Sequence, residues 1–444
     1  MNNRKKEREM RSAFNKEAKR IISQKQLFVR RPEDMKIGLE SEIGVFNLKS
    51  TESDTVAVRD AIVAEVGGEG ADVELGAFQL ELRTPPIGIF SQEGLESLEK
   101  KYRSITDTAE RIARKHGFST LRCGTNPFVR IHGTPRTKKE KYVQVPDFQN
   151  IHRREYTDIH MGICGTRVNI GDASIVSLFQ SFQVNVGSSS LNDAVMLMNY
   201  AFMIGPYLMG IGGNSRYLEC TDTGINDIRI LSWESSHDTR TVRDVIRGMK
   251  TRIGLPERYF LGIEDYFSRV SRYPFILYAP EMALRIGIGL HWLDTRLKII
   301  GNDAVVEFRM LPTQPFPDDE ISFALAFVGR LLYAVHTREV LLPFELVKEN
   351  RLSALLYGTH ALVWINNGGL LERISIKEAL ETEITRAIYG LRVMGIDTSE
   401  RLNEFVMRYK KNSPSEILAT ILDGEKNPSR ETMWNALVSA HMIR

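Results

Sequence analysis

Cysteine is scarce in this chain. Only Cys123, Cys164 and Cys220 occur in 444 residues, an odd number at wide spacing with no CxxC pair. That excludes a disulfide framework, and its simplest setting is a reducing, cytoplasmic one. The nine histidines are scattered, with no pair at metal-ligand spacing on a shared element, so an imidazole metal centre is not expected. An excess of one charge is also lacking. Lys and Arg total 59 against 56 Asp and Glu, and the formal charge of +3 is too small to imply a nucleic-acid partner. Long apolar runs are missing but for Ala194 to Gly213, which Asn199 and Pro206 interrupt and which has no second span to pair with. It reads as a core helix, and no membrane partner is expected. Gly210-x-Gly212-Gly213 follows no strand and reads as a helix end rather than a phosphate loop.

What remains is the composition of a soluble globular protein, 42% hydrophobic and 26% charged, long enough to bury a large core. Residues 1–31 are rich in Lys and Arg, lack the apolar segment of a secretory signal and carry Glu residues unlike a transit peptide. They are expected to form a solvated basic helical arm ahead of one catalytic unit, 32–444.

Strand patterns dominate from about Met35 to Thr84, with a glycine-rich loop at Val66 to Gly70. Ser91 is placed to cap a helix running to His116, with Leu95, Leu98, Tyr102, Ile105 and Ala109 at helical spacing. Cys164 to Gly171 reads as a strand with Arg167 and Asn169 on one face, and Asn214 to Arg240 as a polar loop. A hairpin is legible between His291 and Leu311. With Asn302-Asp303 as its turn, Asp294, Arg296, Lys298, Glu307 and Arg309 share one face, Lys298 lying opposite Glu307. From Asp318 onward the chain reads as helices, so 316–444 is mainly helical. Antiparallel strands among long helices without a βαβ rhythm indicate an α+β fold.

Two acid-rich strand patterns stand out. In Gly38-Leu39-Glu40-Ser41-Glu42 the two glutamates face one way, and in Gln79-Leu80-Glu81-Leu82-Arg83 the polar side chains do the same. Carboxylates gathered on one sheet face repel each other unless a cation neutralises them, and hard divalent cations prefer oxygen donors. The pattern points to a Mg²⁺ floor for handling phosphate. For Glu40 and Glu42 alone, a solvated strand face would be the better reading.

The ordered motifs Gly38-x-Glu40-x-Glu42, Glu74-x4-Gln79-x-Glu81-x-x-Thr84 and Gly124-Thr125-x-Pro127-Phe128 resemble the glutamate–cysteine ligase type 2 family of carboxylate–amine ligases. So do Asn214-Ser215, Asp222-Thr223-Gly224 with Arg229, Trp292-x-Asp294-x-Arg296 and Glu307-Phe308-Arg309. The resemblance implies a glutamine-synthetase-like fold, a curved antiparallel sheet with acids on its concave face and helices on its convex side. It also implies ATP and Mg²⁺, small-molecule substrates (glutamate with cysteine or another amine), a γ-glutamyl phosphate and a role in glutathione-type biosynthesis. It leaves room for a homo-oligomer. By this similarity Glu42, Glu74 and Glu81 would hold one Mg²⁺ and Glu40 and Glu307 another. Because Glu74 and Glu81 are an odd number apart, a bend at Gly76 is expected to bring them together. Arg309, Arg229 and Arg296 would bind substrate carboxylate or the transferring phosphate, and Gln79, Asn169 and Asn214 would contact substrate.

Two departures bear on chemistry. Where many members carry a metal-ligating His, this chain has Arg167, which cannot ligate a metal but can stand beside the phosphates as a catalytic charge. Arg216 replaces a usual proline-containing ending on the acceptor side. The alternatives are the same chemistry with another amine, or a catalytically silent relative. Retention of five mutually repelling carboxylates speaks against silence.

Overall fold

Alternating apolar and polar residues from Ile37 to Phe46 build the central strand, β1, of a seven-stranded antiparallel sheet. The computed structural model describes residues 3–31, 34–88, 91–152, 159–163 and 165–444. The other strands are β2 (Ala71–Val73), β3 (Gln79–Arg83), β4 (Ser119–Leu121), β5 (Phe182–Gly187), β6 (Thr295–Ile300) and β7 (Asp303–Phe308). Their order is β6-β7-β5-β1-β3-β2, with β4 beside the end of β1. Register sets the faces: Glu40 lies opposite Arg83 and Glu42 opposite Glu81, while Glu307 lies opposite Asn185. One face is therefore polar. The other carries Leu39, Val184, Val186, Leu297, Val306 and Phe308 into the main core and Ile43, Leu80 and Leu82 into a second cluster.

The helix Leu191–Gly212 lies under that apolar face and is the one described helix long and apolar enough to cross a membrane. It is almost wholly buried, as a core helix should be. The helix Gln92–Lys115 begins at Ser91, whose side chain accepts from the Gly94 N–H, and ends at His116, as its spacing predicts.

Several expectations are corrected. The basic helix Asn3–Ser23 is not a solvated arm, because Met10, Phe14, Ala18 and Ile21 form a buried stripe in the main core. The excess of charge hides that stripe. Between β1 and β2 the chain forms the helix Glu52–Val66, started by a reciprocal Thr51–Asp54 capping box. The 214–240 segment is not a loop throughout but contains the helix Ile228–Ser236. The helical 316–444 region includes a hairpin, Leu362–Asn367 with Leu370–Ser375, turned by Gly368 and Gly369 at positive φ. The expected 164–171 strand shortens to Val168–Asn169, and Cys164 lies outside the described residues. The β6–β7 turn is Gly301-Asn302, because Gly301 takes φ +60° as the first residue of a two-residue turn. Arg296, not Lys298, then faces Glu307. The slip from the expected register is even, so the side chains keep their faces.

A buried ion pair ties the layers together. Glu320, on the helix Pro317–Thr337, accepts hydrogen bonds from Ser41 of β1 (3.0 Å), the Gln314 N–H (3.0 Å) and the Tyr102 hydroxyl, and pairs with Arg122 at 3.4 Å. Removing one partner of such a pair leaves an uncompensated buried charge. Arg122→Ala should lower unfolding free energy by roughly 3–5 kcal/mol, measured as a fall in the denaturant midpoint.

Candidate active site

The polar face of the sheet floors a cleft of about 550 Å³. β1 supplies Glu40 and Glu42, β3 supplies Gln79, Glu81 and Arg83, β6 supplies Arg296 and Lys298, and β7 supplies Glu307. Glu74 arrives from the turn between β2 and β3. There the Gln79 N–H donates to the Gly76 carbonyl at 2.9 Å, and the Glu74 N–H to the Gln79 carbonyl at 3.2 Å. Gly76 is required at this turn, since a methyl group there would collide with the Ser177 carbonyl. The expected bend is thus a hairpin turn, and it brings Glu42, Glu74 and Glu81 together, with a carboxylate oxygen of each within 4.8 Å of the others.

Two electrostatic regimes share this floor. In the triad, burial and the neighbouring Glu74 push the Glu42 carboxyl up to about 7, even though Ser181 N–H (2.7 Å), Ser181 Oγ (2.8 Å) and Gln183 Nε2 (3.1 Å) donate to it. Burial, then Glu40, Glu74 and Glu42, raise Glu81 well above the usual carboxylate range. Glu307 is the opposite case. It is fully buried, but Arg296, Arg309 and Lys298 hold it well below that range. Arg309 Nη1 reaches its Oε2 at 2.6 Å and Arg296 forks across both oxygens.

A helix forms the facing wall. Arg229, Trp233 and His237 lie on one side of Ile228–Ser236 and its C-cap, and all three line the cleft. Arg309 stacks over the Trp233 ring at 5.7 Å. Arg229 is 1% exposed, and one amino group donates to the Met310 carbonyl. Its Nε, Arg309 Nε and Trp233 Nε1 are buried without a hydrogen-bond partner. Such atoms are rare in native interiors, and Arg229 Nε has only the Asp227 carboxylate at 4.0 Å as a charge partner. The donor set fits what the resemblance requires at the triad: three crowded oxygen ligands for a hard cation, beside unused donors for an anion.

The family model for glutamate–cysteine ligase family 2 matches residues 36–389. The chain belongs to this family. A solved glutamate–cysteine ligase from Francisella tularensis, in complex with AMP, is 12% identical with a TM-score of 0.50, over 93% of this chain and 89% of that one. A bifunctional glutathione synthetase from Pasteurella multocida is 12% identical with a TM-score of 0.46, over 95% of this chain and 51% of that one. At such identities a likeness shows the fold alone. No curated protein sequence matches the chain. The fold is the expected α+β one, an antiparallel sheet with its acids on one face, and it is similar to that of the solved glutamate–cysteine ligase.

Other family-motif residues hold the scaffold. Gln79 lines the cleft and also braces the Glu74 turn, its Oε1 accepting from the Gly76 N–H (2.8 Å) and its Nε2 donating to the Phe179 carbonyl (2.6 Å). Asn214 is buried away from the cleft, donating to the Thr313 (2.7 Å) and Arg122 (3.1 Å) carbonyls. Gly124 lies at the same crossing, where a side chain would meet Pro312 and Ser215. Asp294 leaves the cleft face to pair with Arg351, and Arg216 pairs with Asp222 at 2.6 Å. Asn169 Oδ1 accepts from the Gly171 N–H at 2.9 Å and lies outside the cleft lining. Arg167 is exposed, precedes its short strand and also lies outside the lining, so it is not placed beside the acids. The two-residue strand cannot carry it onto the sheet.

The sequence reading missed Trp233, Tyr142, Arg285 and the part played by Lys298. Reading 228–236 as a helix would have found Trp233, one turn beyond Arg229. Tyr142 and Arg285 come from distant helices and carry no such signal.

Two outcomes are expected. Without divalent cations, the raised Glu42 group adds stability that is complete below about pH 4.5 and is lost as pH rises through about 7. The melting temperature of wild type should therefore fall across that window relative to Glu42→Gln, whose side chain does not titrate. Arg167→Ala should leave turnover within about twofold of wild type, and a loss near the 10²-fold typical of a preorganised charge would return Arg167 to the site.

Proposed function

We propose that this chain is an ATP-dependent ligase that joins the γ-carboxylate of glutamate to the amine of cysteine. The observation that carries the reading is the Glu42–Glu74–Glu81 triad, held in one cleft with Arg229, Arg296 and Arg309. A Mg²⁺ ion held by the triad would supply charge neutralisation for the transferring phosphate. The remaining work falls to the chain's own residues.

A carboxylate oxygen of glutamate attacks the terminal phosphorus of ATP, and ADP leaves. The amine nitrogen then attacks the acyl carbon, orthophosphate departs and the nitrogen gives up a proton. This chemistry asks for positioning and electrostatics more than for a protein nucleophile. Arg309, oriented by Glu307 and stacked on Trp233, is a rigid donor for anionic oxygens. The buried Arg229 Nε is a second such donor, and withdrawing water from the cleft strengthens both. Ser181 and Gln183 fix the Glu42 rotamer, so the triad is organised before any ligand arrives. Trp233, Trp292 and Leu290 give the cleft an apolar wall suited to a small acceptor such as cysteine.

The test is a product assay with ATP, glutamate and a panel of amines. ADP and orthophosphate should form, with glutamate required and cysteine giving the largest acceleration. AMP and pyrophosphate would overturn the reaction class. Faster turnover with a different amine would keep the class and move the acceptor.

A further inference from the structure

The resemblance that gives one cation to Glu42, Glu74 and Glu81 gives a second, on the nucleotide side, to Glu40 and Glu307. The residues present do not fit that second ion. Lys298 starts from β6, at the sheet edge, and its ammonium meets side chains that extend from β7, β5 and β1. Its ammonium contacts Glu40 Oε1 at 3.1 Å, Asn185 Oδ1 at 3.0 Å and Glu307 Oε1. An ammonium has three donors, and here it hydrogen-bonds to Glu40 and Asn185 while pairing with the Glu307 charge. The space between Glu40 and Glu307, where a shared metal would have to sit, holds a nitrogen.

Glu307 is already crowded with protein cations. A carboxylate offers about four lone-pair sites. Three are taken, Oε1 accepting from Arg296 Nη2 (3.2 Å) and Oε2 from Arg296 Nε and Arg309 Nη1 (2.6 Å), and the Lys298 ammonium pairs with Oε1. A divalent ion would displace these bonds and stand among three fixed cations, and Mg²⁺ also demands near-ideal oxygen geometry at about 2.1 Å. The triad differs in each respect. Its acids are crowded and mutually repelling, and the charge that shifts them most, after burial, is another carboxylate.

We propose that Lys298 takes the place of the nucleotide-side metal ion, so that this chain has one divalent-cation site, at Glu42, Glu74 and Glu81, beside a built-in monovalent charge. The inference rests on the metal reading given under Proposed function. It assigns Lys298 a role in the reaction cleft that a cross-strand pair alone would not have. A tethered ammonium cannot dissociate or exchange with solvent, and it presents its charge whether or not metal is available.

The experiment is a count of bound Mn²⁺, whose preference for oxygen donors follows that of Mg²⁺. Mn²⁺ is titrated into the metal-free full chain without nucleotide, and the loss of the free-ion EPR signal is read. Wild type should bind a single ion per chain, and Glu42→Gln should bind it at least about tenfold more weakly. Lys298→Ala should gain a second, weaker ion. Two ions on the wild-type chain would overturn the proposal and leave the triad reading standing. No bound ion would overturn the triad reading and the proposal with it. A single ion on folded Lys298→Ala would overturn the part given to Lys298. The wild-type count decides the first two outcomes even if that variant does not fold.

Discussion

Repulsion among carboxylates on one face of a sheet is the constraint that organises this protein. Glu40, Glu42, Glu81 and Glu307 share the polar face, and the β2–β3 turn adds Glu74. Left alone, these charges would oppose folding. Around Glu307 the repulsion is removed by Lys298, Arg296 and Arg309. At Glu42, Glu74 and Glu81 it is left in place, and the proton affinity of Glu42 and Glu81 rises instead. One end of the cleft is therefore balanced by protein cations, while the other keeps its carboxylates crowded.

The rest of the polar architecture maintains that asymmetry. Gln79 and Gly76 shape the turn that delivers Glu74, and Ser181 and Gln183 hold Glu42. Asn214 and Gly124 lock the crossing beneath the cleft, while Glu320 joins β1 to the helices behind it. Each of these groups is satisfied inside the protein. By contrast, Arg229 Nε, Arg309 Nε and Trp233 Nε1 are buried without a hydrogen bond, in residues that line the cleft.

Local pattern was enough for the elements whose signal lies within a few residues. The period-2 alternation around Glu40 and Glu42 gave strand and face together, and the Ser91 cap and the apolar run to Gly212 gave two long helices. Faces survived even an error in the β6–β7 turn, because an even slip returns each side chain to its own side. Where charge masked an apolar stripe, as at Met10 to Ile21, composition misled. Motif order identified the family, but it did not separate residues that touch the cleft from residues that support it: Asn214 shares the motifs with Glu42 and Glu81.

By itself, then, the sequence determined which acids face the same way, that they need countercharge, and the α+β class of the sheet that carries them. Only the tertiary structure decided which acids receive a protein cation and which remain crowded. That depends on the side chains of Lys298 and Glu40 meeting over the sheet face, and on a helix some two hundred residues from β1 placing Arg229 and Trp233 in the cleft of the triad. Alternation along a strand fixes direction over a few ångströms. Charge compensation depends on distances between side chains that only packing brings together.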